Sequence, residues 1–120
     1  MPKAIRINAA GQVVAVDAAV GVSKNNHEDV LWVATQNGGP WTITFDKPAG
    51  IDPTKYPFAP GSPFSQDVYW ISKGGSQGTA GGPVRGNVGN TYQYRVRQGG
   101  ATGPDPNGPI THDPDVDVES

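Results

Sequence analysis

The chain contains no cysteine, and its single methionine is Met1. No disulfide can staple it and no thiolate can bind a metal, and a chain without disulfides fits a reducing compartment. Histidine is nearly as scarce, with His27 and His112 the only two. Charge is thin: 17% of the 120 residues are charged and the formal net charge is −2. Lys and Arg form no stripe. Displacing condensed counterions from a nucleic acid takes several of them on one face, so no nucleic-acid partner is expected. No run of about 18 apolar residues occurs, so no membrane partner is expected either. The N-terminus moves from Met1-Pro2-Lys3 directly into an alternating segment, without the apolar stretch of a secretory leader. The expected location of the chain as written is cytoplasmic, or periplasmic or secreted if a leader was removed.

Helical periodicity is also missing. No segment of ten or more residues carries a 3.6 period. The one exception expected is a short helical turn over Asp52–Tyr56, with Asp52 capping and Pro53 in the first position.

What the chain does have is glycine, 17 residues, and proline, 12 residues, spread between short apolar runs. That pattern reads as turns in a loop-rich β fold. The length is that of one domain, residues 1–120, able to bury roughly two-thirds of its unfolded surface. Period-2 alternation predicts strands over 5–8, 13–16, 29–35, 41–45, 68–71, 92–97 and 115–119, and a short strand near 83–87. Asp29–Thr35 is apolar on both faces and is expected to be central and buried on both sides. In the strand Trp41–Phe45, Trp41, Ile43 and Phe45 should face the core, with Thr42 and Thr44 outward. Asp17–Asn26 reads as a connection. Residues 46–64, 73–90 and 98–111 read as long Gly/Pro-rich loops. Short strands punctuated by turns argue for an all-β sandwich.

Three pieces carry a family resemblance. Glu28-Asp29-Val30-Leu31-Trp32-Val33 leads through a Gly/Pro turn into Trp41-Thr42-Ile43-Thr44-Phe45. Gly61-Ser62-Pro63-Phe64 precedes a strand. Tyr92-Gln93-Tyr94-Arg95-Val96 is followed by a loop and then Asp113-Pro114-Asp115-Val116-Asp117-Val118. Together they resemble the cupredoxin-like (plastocyanin/azurin-type) domain, most closely its copper-free bacterial members. The resemblance implies a Greek-key β-sandwich. Electron-transfer members of that family hold copper through two His, one Cys and usually an axial Met. Here the corresponding loop, Gln98–Thr111, carries none of these, and His112 comes just after it. Trp41 stands where such members place their first histidine. The resemblance therefore implies no blue-copper centre and no electron carrier.

The remaining candidates each have a plain alternative. His27 and His112 could hold Cu(II) or Zn(II) through imidazole nitrogens, with Asp113 or Asp105 assisting His112. However, the resemblance puts the two histidines at opposite ends of the sandwich. Asp113, Asp115, Asp117 and Glu119 could gather a hard cation. On a strand they instead form one outward row, able to pair across strands with Gln93, Arg95 and Arg97. The tryptophans and tyrosines of the strands could stack a ligand, but most are expected to face the core. Tyr56, Phe58 and Phe64 lie in the Pro-rich segment, where they either staple it to the sandwich or present an apolar patch. Gly74–Gly82 lacks the Lys-Ser/Thr ending of a phosphate loop, and no motif frames a nucleophilic serine. The expectation is a copper-free, non-enzymatic binding or structural module without a cofactor. It would meet a protein partner or a second copy through its loops, with Tyr56, Phe58, Phe64 and Trp41 as candidate contacts.

Overall fold

A computed structural model describes residues 3–14, 19–45, 58, 68–78, 88–89 and 91–120. Among them the chain is all-β, without a helix. The strands are β1 (Lys3–Ile7), β2 (Ala19–Ser23), β3 (Val30–Ala34), β4 (Trp41–Phe45), β5 (Val68–Ile71), β6 (Ser76–Gly78), β7 (Thr91–Gln98), β8 (Ile110–His112) and β9 (Asp115–Glu119). The helical turn expected at 52–56 and the strand near 83–87 lie outside the described residues, as do Ala15 and Val16.

Most of the strands form where apolar residues recur every second position. Ile5 and Ile7 are buried while Arg6 is exposed. Tyr92, Tyr94 and Val96 are buried while Thr91 and Gln93 are exposed. Val116 and Val118 point inward from β9. A period of two places these residues on one face of a pleated strand, and that face turns away from water.

The strands make two sheets, one 3-stranded in the order β1-β3-β6 and one 6-stranded in the order β2-β9-β7-β4-β5, with β8 paired to β7. β1 runs parallel to β3, setting Ile5 beside Trp32. The inner faces of the two sheets share one buried cluster. Trp32 of the smaller sheet meets Phe45, Tyr69 and Tyr94 of the larger one, with ring centroids 6.1, 5.1 and 5.7 Å away.

The segment expected as a connection, 17–26, instead contains β2. It runs parallel to β9, with Val20 beside Val116 and Val22 beside Val118. Its alternation of Val with Gly21 is short, and it becomes a strand because the four valines bury one another. Just before it, Val13 bridges Ile7, and the Val14 N–H donates to Arg6 O at 2.9 Å. One stretch of chain thus touches the smaller sheet at its start and the larger sheet at its end. On the opposite side, residues 72–75 carry the chain from β5 to β6. The Gly75 N–H bonds Ser72 O at 2.8 Å, and Gly75 O accepts the Ala34 N–H at 2.9 Å.

Several expectations are corrected. The 73–90 segment contains β6, which pairs antiparallel with β3. The 98–111 loop ends in β8, with His112 opposite Val96. β3 is central, but only Val30, Trp32 and Ala34 are fully buried; Leu31 and Val33 are half-buried. A two-layer arrangement covers one face of each sheet, so the second apolar face of β3 looks outward. Trp70 is half-buried on the outer face, because β5 turns Tyr69 and Ile71 inward. Thr42, expected outward in solvent, is 0% exposed.

Tryptophan emission tests this arrangement. Trp32 and Trp41 are buried, whereas Trp70 is only half-buried. Acrylamide is expected to quench one accessible component, and Trp70→Phe to remove it; uniform quenching of all three would contradict the fold. Phe58 is fully buried against Trp32 and Phe45, with centroids 6.2 and 5.9 Å away. Phe58→Ala is expected to lower stability by about 3–5 kcal/mol in urea unfolding.

Candidate functional site

The end of the molecule where β4 begins and β7 finishes gathers most of the described loops. Trp41 lies there, opposite Gln98 on one side and Ile71 on the other. The turn after β1 is built on Asn8, whose Oδ1 accepts the N–H groups of Ala10 and Gln12, each at 3.0 Å. This places Gly11 over the indole of Trp41. Gly11 has φ +78, and a Cβ there would lie 2.8 Å from Trp41 Cζ3 and 2.5 Å from Thr111 Oγ1. On the other edge of the ring is Gly39, φ +90, where a Cβ would lie 3.3 Å from both Cδ1 and Nε1. Only glycine combines that backbone conformation with so close an approach. The indole is therefore clamped between two glycines, and Trp41 is 4% exposed. Its Nε1–H has no hydrogen-bond partner among the described residues.

β8 fastens this clamp. Thr111 Oγ1 lies 2.5 Å from Gly11 O and 3.1 Å from Val96 O, so one hydroxyl proton serves two carbonyls. His112 Nδ1 accepts the Val13 N–H at 3.0 Å, leaving only Nε2 for any other partner.

The loop between β7 and β8 does not stand away from the body. It folds as a flap onto the outer face of the larger sheet. Gly99 and Gly100, φ +108 and +82, turn it back. The Nε1–H of Trp70 donates to Gly100 O. The Asp105 N–H donates to Thr42 Oγ1 at 2.9 Å, which is why Thr42 is buried. Arg97 donates from Nε to Thr44 Oγ1 and from Nη1 to Gly108 O, each at 3.0 Å. Gly108 packs so closely that a Cβ would sit 2.1 Å from Gln98 O.

The expected metal candidates do not converge. His27 is exposed, with φ +51, in the turn that follows β2. That turn lies at the end where Ser23 pairs with Glu119, the far end of β9 from His112. Asp113 pairs with Arg95 at 3.5 Å, both side chains well exposed. Such an exposed pair is worth about 0–1 kcal/mol. Asp105 Oδ1 accepts the Asn107 N–H at 3.2 Å. Among the described residues no group of three His, Asp or Glu side chains is placed to hold a cation.

The outward acidic row has mixed partners. Asp117 accepts the Thr91 hydroxyl at 2.6 Å, Asp115 lies opposite Gln93, and Arg95 reaches Asp113. Arg97 does not join the row; Thr44 and Gly108 hold it instead. Of the candidate partner contacts, Trp41 and Phe58 are core residues and offer no surface here. Phe58 packs against Trp32 and Phe45. Tyr56 and Phe64 lie outside the described residues.

Sequence reasoning missed Gly11, Thr42, Trp70, Arg97 and Thr111 as parts of this end. The one local signal was Asn8 and Gly11 flanking a tight turn. The bonds at Thr42 and Thr111 join residues distant in the chain. No known protein family and no curated protein matches the chain.

Two substitutions probe the arrangement. Gly11→Ala forces a side chain into the indole and Thr111 and is expected to cost about 1–3 kcal/mol in thermal or urea unfolding. Thr42→Val removes the acceptor of the Asp105 N–H and is expected to cost about 1–3 kcal/mol. It should also raise the acrylamide accessibility of Trp70 beneath the loosened flap.

Proposed function

We propose that the chain is a copper-free, cupredoxin-like Greek-key sandwich that serves as a binding or structural module through its loops, and is neither an electron carrier nor an enzyme. The observation that carries this reading is the clamped indole of Trp41. At the strand start where copper-binding relatives of the resembled family place a histidine, this chain buries an apolar ring under Gly11 and Gly39. The adjoining loop offers no thiolate and packs onto the sheet through Asp105, Gly100 and Gly108.

The strand order supports the Greek-key part of the reading. β4 and β7 are neighbours in the larger sheet, although β6, which lies between them in the chain, belongs to the smaller one. In a Greek key the fourth antiparallel strand returns to lie beside the first, and the antiparallel return of β7 beside β4 resembles that step. The binding part rests on where the loops are. Loops held by a rigid sandwich are the usual carriers of recognition, and the loop end here is ordered by specific bonds. The partner in this reading is a protein or a second copy of the chain, and no cofactor is involved.

Elemental analysis and Cu(II) and Zn(II) titration calorimetry of untagged protein test the copper-free reading. No stoichiometric uptake is expected. Tight one-to-one binding abolished by His112→Ala would overturn it in favour of a non-blue metal site at His112 with Asp113 or Asp105. Light scattering over a concentration series tests self-association. A strictly monomeric protein would leave a heterologous protein as the partner.

A further inference from the structure

The outer face of the larger sheet carries side chains in cross-strand rows. Register sets Trp70, Thr42 and Arg97 side by side on β5, β4 and β7, and sets Val68, Thr44 and Arg95 in the next row. The flap covers the first row, where Thr42 is fully buried and takes the Asp105 N–H. The second row is left partly open, since Val68, Thr44 and Arg95 are all half-buried.

Arg97 joins the two rows. It leans from beside Thr42 toward Thr44, donating from Nε to Thr44 Oγ1 at 3.0 Å, while Nη1 donates to Gly108 O at 3.0 Å. Both acceptors are neutral. Among the described residues its charge has no carboxylate partner, and the N–H groups of Nη2 have no acceptor. The two bonds hold the planar fork in one pose, so little side-chain freedom is left to lose when a ligand binds. Thr44 is in a similar position. Its oxygen accepts from Arg97, so its own hydroxyl proton is still to be donated, and no acceptor for it is present among the described residues. Arg95 lies directly across from Thr44. Its ion pair with Asp113, at 3.5 Å and well exposed, is worth about 0–1 kcal/mol and gives way easily.

This part of the face therefore has more donors than acceptors. An oxyanion supplies what is missing, and its bonds to a guanidinium are charge-assisted. An organic carboxylate suits the place better than phosphate. Val68, on the other side of Thr44, offers hydrocarbon to the rest of an organic acid. Asp113 and the outward acids of β9 lie on the same side of the sheet, and they repel a dianion more than a monoanion. We propose that Thr44 and Arg97, with Arg95 beside them, form a binding site for the carboxylate of an organic acid. The carboxylate takes the spare N–H groups of Arg97 and the hydroxyl proton of Thr44, and Arg95 turns from Asp113 to join them. The inference does not depend on what the loops bind.

The test is an NMR titration of isotope-labelled protein with sodium acetate, with sodium chloride at matched ionic strength as the control. Acetate is expected to move the Arg97 Nε–H and Thr44 amide signals along a saturating curve, while chloride gives only a small drift that does not saturate. Thr44→Val removes the hydroxyl and is expected to weaken acetate binding several-fold. Arg97→Gln is expected to abolish saturation. Arg97→Lys keeps the charge without the fork and is expected to weaken binding several-fold; the amide spectrum of each variant shows that it is folded. Inorganic phosphate is expected to bind more weakly than acetate. No saturation with acetate in the parent protein, or saturation unchanged by Thr44→Val and Arg97→Gln, would overturn the site. Tighter binding of phosphate than of acetate would overturn the assignment to a carboxylate.

Discussion

The contact on which the rest depends is the indole of Trp32. Among the described residues the smaller sheet has three strands, and Trp32 stands at its centre on the inner face. From there it reaches Phe45, Tyr69 and Tyr94 of the opposite sheet, and Phe58 from the segment between β4 and β5. Several of these rings meet edge-on, the arrangement that sets a positive ring edge against a negative face. The Nε1–H of Trp32 has no partner among the described residues, and leaving a donor unpaired costs about 1–3 kcal/mol. Burying about 150–250 Å² of aromatic surface at about 25 cal/mol per Å² is worth about 4–6 kcal/mol, so packing wins. With the two inner faces locked at this point, the strands on either side have fixed ends, and the loops that leave those ends are held as well.

The loop end follows from that frame. Trp41 and Trp70 sit on neighbouring strands but meet opposite environments, because pairing sets Trp41 beside Ile71 and Thr42 beside Trp70. Trp41 therefore points into the core, where Gly11 and Gly39 close over it. Trp70 points outward, where the flap covers it. The two glycines do for the inside what Gly99 and Gly100 do for the outside: they let backbone approach a large ring. An end built this way is filled with hydrocarbon and backbone. Polar groups nearby also hold the chain together. His112 Nδ1 holds Val13, and Asp105 holds Asn107 and Thr42 through its side chain and its amide.

Much of the strand pattern was legible in the sequence, and the end of the molecule was not. The alternations Trp41–Phe45, Tyr92–Arg97 and Asp115–Glu119 give their strands and, apart from Thr42, their inward faces. The absence of cysteine by itself removed the thiolate chemistry of the resembled family. Trp70 was harder, since Val68-Tyr69-Trp70-Ile71 carries apolar residues on both faces and only the pairing with β4 decides which face is in. β2 was missed because two valines around Gly21 become a strand only when Val116 and Val118 arrive from the far end of the chain. Arg97 looked like a member of a charged row until a backbone carbonyl of the folded flap claimed it.

The sequence alone determined an all-β chain, most of its strands, the side chains most of them turn inward, and a set of ligands too poor for a thiolate metal centre. These are local properties, written in a two-residue period and in composition. Tertiary structure alone decided that Trp41 is sealed under Gly11 and Gly39, that Thr42 is covered, and that the loop after β7 is a flap. Each of these depends on residues distant in the chain. They meet only after the two sheets have closed on Trp32, and no period in the sequence encodes which returning segment arrives beside which strand.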